Sequence, residues 1–414
     1  MLCQFSFSNY KSYRDEVTLD MCPAKITEHD SHLIRNKISG ESFLPLAVIY
    51  GPNGGGKSNV IEAFYYLCYK IINRLTNAGV LEDELAFLEP IPLIGRERTQ
   101  KISFLFDEQY SKIPTTWSVI FATEGYEYKY SISSTINTIS EESLYAKNLE
   151  TQEIQMLFER GEAIEMGDLL KDVHHNKLAD NVPLLSFISV FYTFNHINNV
   201  VKWFFIICRS NIISGVDKFL PHFRIPSTKK LEEVFYKLLS DMDIPISKLE
   251  VVKDDLGETK EILSVYARNS KRYKLNLAQE SEGTKKILSY LAIFIDALNS
   301  GFPLLIDELD SKLHPKLLAF IISLFASPEY NEKGSQLILT SHDLYTMDSK
   351  FLRRDEIWFA VKREDFSSHL YSLAEFKKEL TGKAPRKDEN YAKQYTEGMY
   401  GADPYIQKAI SWEG

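Results

Sequence analysis

Basic excess, paired cysteines, low-complexity tracts and long apolar runs are all missing from this 414-residue chain, and each absence closes off a class. Lysine and arginine number 48 against 57 aspartate and glutamate, a formal charge of −9. That balance argues against a protein that coats nucleic acid through bulk charge. The four cysteines, Cys3, Cys22, Cys68 and Cys208, stand far apart with no CxxC pair. Such spacing supports neither a disulfide framework nor a zinc ribbon, and it points to a reducing cytoplasm. The most apolar stretch, residues 184–208, is broken by Asn195, His196, Asn198, Asn199 and Lys202. It falls short of the ~18 apolar residues of a membrane span and instead predicts a buried, aromatic-rich helical pair. The amino terminus has no basic segment followed by an apolar one, so no export signal is expected. What the chain does have is aromatic: 25 Phe, 23 Tyr and 4 Trp among 44% apolar residues, enough for a large core.

The patterns along the chain predict an α/β fold. Residues 2–20 alternate apolar and polar around a turn at 9–13, which predicts two short strands. Residues 46–50 form an unbroken apolar run that ends at Gly51, the mark of a buried parallel strand. A helix is expected from Lys57. Period-two runs at 102–106, 117–121 and 126–132 predict antiparallel strands, the last two joined by a Glu124-Gly125 hairpin turn. Helical spacing dominates from about 150 to 239. A second strand pair is expected at 249–252 and 262–267, split by a turn at 254–257. A helix over 282–299 then leads to buried strands at 303–307, 336–340 and 356–361.

One segment carries unmistakable chemistry. Gly51, Pro52, Asn53, Gly54, Gly55, Gly56, Lys57 and Ser58 match G-x4-G-K-[ST] in full, and Asn59 follows. Glycines let backbone N–H groups curl around phosphate oxygens where a Cβ would intrude. The helix that starts there adds its positive N-terminal end. Lys57 is expected to reach the β- and γ-phosphates of ATP and Ser58 to bind Mg²⁺. Leu304-Leu-Ile-Asp307-Glu308 supplies a buried strand with two acids at its end. Asp307 is then the second magnesium residue and Glu308 the general base for an attacking water. The doublets Lys229-Lys230, Lys285-Lys286 and Arg353-Arg354 read as exposed, salt-bridged faces.

Two further segments complete an order: Ser281-Glu-Gly283 opens the helix before Asp307, and Thr340-Ser-His342 ends the strand after it. P-loop, Ser-x-Gly, Asp-Glu and strand-end histidine in this sequence resemble the ABC-type AAA ATPases of the SMC, RecF and OLD branch. Segments 5–13, 353–359 and 400–404 add a likeness to stand-alone AAA proteins of paired ATPase–effector systems in phage defence. The resemblance implies an ABC-type P-loop head, a mixed sheet with an antiparallel β-subdomain, carrying a helical insertion. It implies that two heads sandwich ATP, with Ser281 and Gly283 meeting the γ-phosphate held by a second subunit. His342 would contact that phosphate as a switch, and Asp310 would couple the two sites. Glu282 and Thr284 depart from the Gly and Gln usual in the transporter signature. The magnesium-sensing glutamine of that family has two candidates, Gln100 and Gln109.

The expected organisation is an N-terminal ATPase lobe at 1–149, a helical insertion at 150–240, a C-terminal lobe at 241–376 and a tail at 377–414 packing on the head. No long heptad arm separates the lobes, and 72 residues follow His342, too few for a nuclease domain of the OLD kind. The expected function is therefore a cytoplasmic, homodimeric ATP switch acting on a separate effector protein, a nuclease. The alternative is a RecF-like repair ATPase, which keeps nucleic acid open as a partner; a membrane partner is not expected.

Overall fold

The computed structural model describes residues 1–77, 102–210, 226, 228–253, 259–377, 385–386 and 389–402. Strands β1 (Leu2–Ser8) and β2 (Val17–Asp20) are followed by two short strands, β3 (Ile34–Arg35) and β4 (Ser42–Phe43), and by β5 (Leu46–Tyr50). An antiparallel run then comprises β6 (Thr115–Thr123), β7 (Tyr126–Ser134), β8 (Ile139–Asn148), β9 (Ile154–Arg160) and β10 (Ile164–Met166). Together with β1 and β2 it forms a seven-stranded sheet in the order β10-β9-β8-β7-β6-β1-β2. Period-two alternation sends Phe5, Phe7, Trp117, Val119, Phe121, Tyr128 and Tyr130 into one core. Glu124 and Gly125 turn the β6–β7 hairpin with φ of 49° and 81°, the left-handed pair such a tight turn demands.

Two sequence expectations are corrected here. Residues 102–106 are not a strand: the Ile102 carbonyl accepts from Lys11 N–H and the Phe104 N–H donates to Asn9 Oδ1. With those groups committed to the turn after β1, Leu105 and Phe106 are left exposed. The helical spacing expected from 150 is also wrong at its start, since 154–166 continue the antiparallel sheet as β9 and β10. A bulge explains the misreading. Between Leu144 and Tyr145 the pairing slips from Phe158 to Met156, so Leu157 and Phe158 are both buried. Ile154, Leu157 and Phe158 then mimic i, i+3, i+4. The division expected at 149/150 thus falls inside one sheet. The turn expected at 254–257 lies outside the described residues.

The helical pair foreseen in 184–208 is present as α2 (Leu184–Phe191) and α3 (Asn195–Ser210), packed with α1 (Lys57–Asn77) in the core under the seven-stranded sheet. Buried Glu142 on β8 bolts sheet to helix: its carboxylate accepts from the N–H groups of Leu184 (2.6 Å) and Leu185 (3.0 Å) and from the Tyr130 hydroxyl (2.9 Å). Among the described residues no helix is long and apolar enough to cross a membrane.

Beyond α4 (Lys229–Asp241), a three-stranded antiparallel sheet is built from β11 (Ile246–Lys253), β12 (Thr259–Arg268) and β13 (Lys271–Asn276). It leads into α5 (Glu282–Ser300), β14 (Leu304–Ile306), α6 (Pro315–Ala326), β15 (Leu337–Thr340), β16 (Ile357–Lys362), β17 (Ser368–Ser372) and α7 (Tyr391–Thr396). The central sheet has the order β14-β15-β5-β16-β17, parallel except for β17. Strands β14 and β5 are apolar throughout, and β15 is so up to Thr340, because both faces are buried. Ala47, Ile49, Leu305 and Ile338 join the core of α1, whereas Leu46, Val48, Leu304 and Leu339 join that of α4, α5 and α6. Register pairs Ile306 with Leu339 and Thr340 with Ile49, so β14, β15 and β5 end together on one edge.

Ahead of β16 lies a buried ionic knot. Arg353, expected on an exposed face, is fully buried; it grips the Asp355 carboxylate through two bonds of 2.9 Å and reaches Asp30 at 3.0 Å. The doublet pattern misled because Asp30 and the Glu28 carbonyl, 323 and 325 positions away, are brought to Arg353 only by the fold. Glu356, equally buried, accepts the Arg353 N–H at 2.8 Å. Burial pushes its carboxyl up to about 8. The fold keeps this group protonated through a range in which the unfolded chain ionises. Its stabilising effect is complete below the ordinary carboxylate value and is lost as pH rises through about 8. Glu356→Gln is therefore expected to flatten the alkaline fall in thermal midpoint by several degrees. Parallel wild-type and variant curves across that range would overturn the assignment.

Candidate functional site

The site lies where β5, β14 and β15 end. The loop after β5 depends on glycine for space as much as for conformation. A Cβ on Gly51 would lie 2.1 Å from the Ala360 carbonyl oxygen of β16, and one on Gly55 2.4 Å from the same atom. Gly54 and Gly56 take φ of 76° and 106°. A Cβ on Gly56 would also strike Ser368 Oγ at 2.5 Å, beside Ser12. Asn59 donates to the Ser12 hydroxyl at 2.7 Å, and Ser368 does so at the same distance, so β17 and the turn after β1 brace the loop's far side. Lys11, in the turn after β1, pairs with Glu62 of α1 at 2.5 Å.

Lys57 opens α1 and is buried, its ammonium donating to the carbonyls of Gly51 (3.0 Å) and Pro52 (3.1 Å). Burial lowers its proton affinity, and Asp307, Glu308 and Asp310 oppose that shift. Ser58 and Asp307, which sequence placed 249 positions apart, meet with Oγ donating to Oδ1 at 3.1 Å. A hydroxyl and a carboxylate side by side at a phosphate loop form the donor set that Mg²⁺ prefers. The tight glycine cradle, the buried lysine and this oxygen pair all fit a magnesium nucleotide.

Glu308 follows Asp307 in a left-handed conformation, φ 49°, with its side chain exposed. Two residues that sequence reasoning missed hold it there. The Thr340 hydroxyl donates to Asp307 Oδ1 at 2.5 Å and accepts from the Glu308 N–H at 2.7 Å. The Lys286 ammonium donates to the carbonyls of Glu308 and Ser311, both at 2.8 Å. Lys286 is only 6% exposed, which corrects its expected place on a solvated face. Burial pushes its ammonium down to about 8, against the pull of Asp310 and Glu308. Thr340 stood in plain view next to His342; only its place between two strand ends gives it meaning.

His342 lies at the same edge, its N–H donating to Asp310 Oδ2 at 2.9 Å. Ser281 caps α5 by accepting from the Thr284 N–H at 3.1 Å and is exposed. Gly283 has an intrachain reason to be glycine: a Cβ would sit 2.8 Å from the Lys312 carbonyl. Of the two glutamine candidates, Gln100 lies outside the described residues and Gln109 sits exposed in the short 3₁₀ turn Glu108–Ser111.

Among solved structures the chain is similar to the SMC head domain from Thermotoga maritima: 16% identity, TM-score 0.42, 90% of this chain and 98% of that one covered. It is also similar to an SMC head bound to the C-terminal winged-helix domain of ScpA, with 13% identity, TM-score 0.45 and coverage of 90% and 97%. No curated protein matches it. A family model matches residues 46–348, from the strand before the phosphate loop to just past His342 and well over half of the chain. The protein belongs to that family, described as "AAA domain, putative AbiEii toxin, Type IV TA system".

Proposed function

We propose that this AAA-family protein binds and hydrolyses ATP as a cytoplasmic homodimeric switch that controls a separate effector protein, a nuclease. The observation that carries the catalytic part is the meeting of Ser58, Asp307, Thr340 and Glu308 at three adjacent strand ends above buried Lys57. Backbone N–H groups of the loop 51–59, proline excepted, cradle the phosphates, and Lys57 exchanges its carbonyl partners for β- and γ-phosphate oxygens. Ser58 and Asp307 hold Mg²⁺, which when bound neutralises phosphate charge. Glu308 takes the proton of the attacking water, and His342 contacts the γ-phosphate from the end of β15.

Ser281 and Gly283, at the exposed start of α5, offer donors without bulk to the γ-phosphate of a partner head. The family's description, set in a toxin–antitoxin pairing, supports a chain that works beside a second protein. Its four free cysteines accord with the cytoplasm. The alternative of a DNA-binding repair ATPase draws support from exposed Arg268, Lys271 and Arg272 around the β12–β13 turn.

The test combines light scattering with phosphate release. ATP should convert the purified chain to a dimer that ADP does not sustain. A monomer at saturating ATP would remove the sandwich. DNA-stimulated turnover with steep salt dependence would move the reading to the repair ATPase.

A further inference from the structure

We infer that Lys286 and Thr340 form a two-sided positioning clamp on the Glu308 peptide, which ties the aim of the general base to the first turn of α5. The inference rests on the proposed role of Glu308. Its observations are backbone contacts rather than motif matches. One clamp arm holds the Glu308 N–H through the fully buried Thr340 hydroxyl, and the other holds its carbonyl through the Lys286 ammonium. Between them the residue keeps φ at 49°, a conformation that non-glycine residues seldom adopt without such support.

Lys286 is an expensive choice for this task. A lysine is rarely buried unless paired, yet this one spends its donors on two carbonyls and lies 5.7 Å from the Tyr290 ring centre. Asp307, Glu308 and Asp310 are the acids that favour its charge, and all belong to the strand end and turn it grips. The same turn meets α5 at two more points: Glu282 pairs with Lys312 at 3.4 Å, and Gly283 packs against the Lys312 carbonyl. Residues 282–286 and 308–312 are therefore docked as one unit. Ser281 forms the exposed tip of that unit, where the proposed partner nucleotide docks. A push or pull on the tip reaches Glu308 through Lys286 with no other element between them.

Thr340 works from the opposite side and has two duties. Its hydroxyl proton goes to Asp307 and its lone pair receives the Glu308 N–H, so one oxygen fixes both acids relative to each other. Valine has nearly the shape of threonine and cannot do either; serine can do both.

The test compares Lys286→Met and Thr340→Val in the full-length protein, with Thr340→Ser as the conservative variant and Glu308→Gln as reference. Each disruptive variant should lower kcat by about tenfold or more while shifting ATP affinity less than about threefold, since transition-state alignment is lost and ground-state binding is not. Thr340→Ser should recover most of the rate. Because the Lys286 arm acts on turnover through Glu308, adding Lys286→Met to Glu308→Gln should cause little further loss. Multiplying losses in the double variant, or a KM effect with kcat intact, would overturn the clamp. Full turnover in Glu308→Gln alone would instead remove the base on which it rests. A thermal midpoint for each variant separates unfolding from misalignment, and Thr340→Ser, which keeps the hydroxyl, remains decisive if Lys286→Met fails to fold.

Discussion

Glu308→Gln is expected to cut ATP turnover by a factor of about 10² to 10⁴, the usual worth of a positioned general base, while nucleotide binding is retained. Glutamine keeps the volume and length of glutamate, so the left-handed backbone at 308 and its contacts with Thr340 and Lys286 are undisturbed. Only the capacity to take a proton disappears. Lys57, Ser58 and Asp307 stay in place, so equilibrium titration with ATP should give an affinity close to that of the wild type. Light scattering should then find the dimer accumulating, because closure no longer leads to hydrolysis. The measurement that decides is phosphate release at saturating ATP. Release at the wild-type rate would show that the proton goes elsewhere, and Asp310 or His342 would have to be considered in its place.

The contrast between Asp307 and Lys286 shows what a sequence of this kind discloses. Asp307 ends an apolar run, and a buried parallel strand has a single exit, so its position followed from residues 303–307 alone. The phosphate loop was legible for the same reason: every residue it needs is contiguous. Lys286 was not, because its partners are carbonyls of residues 308 and 311, which any residue type would supply. Thr340 likewise acquires its role only when β15 pairs with β14. In the fold, two stretches were misread, one a strand taken for a helix and the other an irregular segment taken for a strand. At 154–160 a bulge buries consecutive residues, and a helix is the natural inference from the resulting pattern. At 102–106 the alternation is genuine, but Asn9 and Lys11 take the hydrogen bonds a neighbouring strand would need.

The Arg353 knot was hidden in the same way, and its loss should have the largest effect on stability. Arg353→Ala is expected to cost about 3–5 kcal/mol, the range for removing one member of a buried ion pair, because the Asp355 carboxylate remains buried without its cation. Lysine should not rescue it. A single ammonium cannot make the fork to both oxygens of Asp355 while also reaching Asp30 and the Glu28 carbonyl. Paired replacement by Arg353→Met with Asp355→Leu should recover much of the loss, since it removes the charge along with its partner. Urea unfolding of the three variants distinguishes these cases, and a cost under about 1 kcal/mol for Arg353→Ala would reduce the knot to an ordinary surface pair. The effect should also reach the nucleotide. Arg353 fixes the entry to β16, whose Ala360 carbonyl is the surface on which Gly51 and Gly55 rest. If that strand loosens, the floor under the phosphate loop shifts. ATP affinity measured well below the unfolding midpoint should therefore fall in Arg353→Ala.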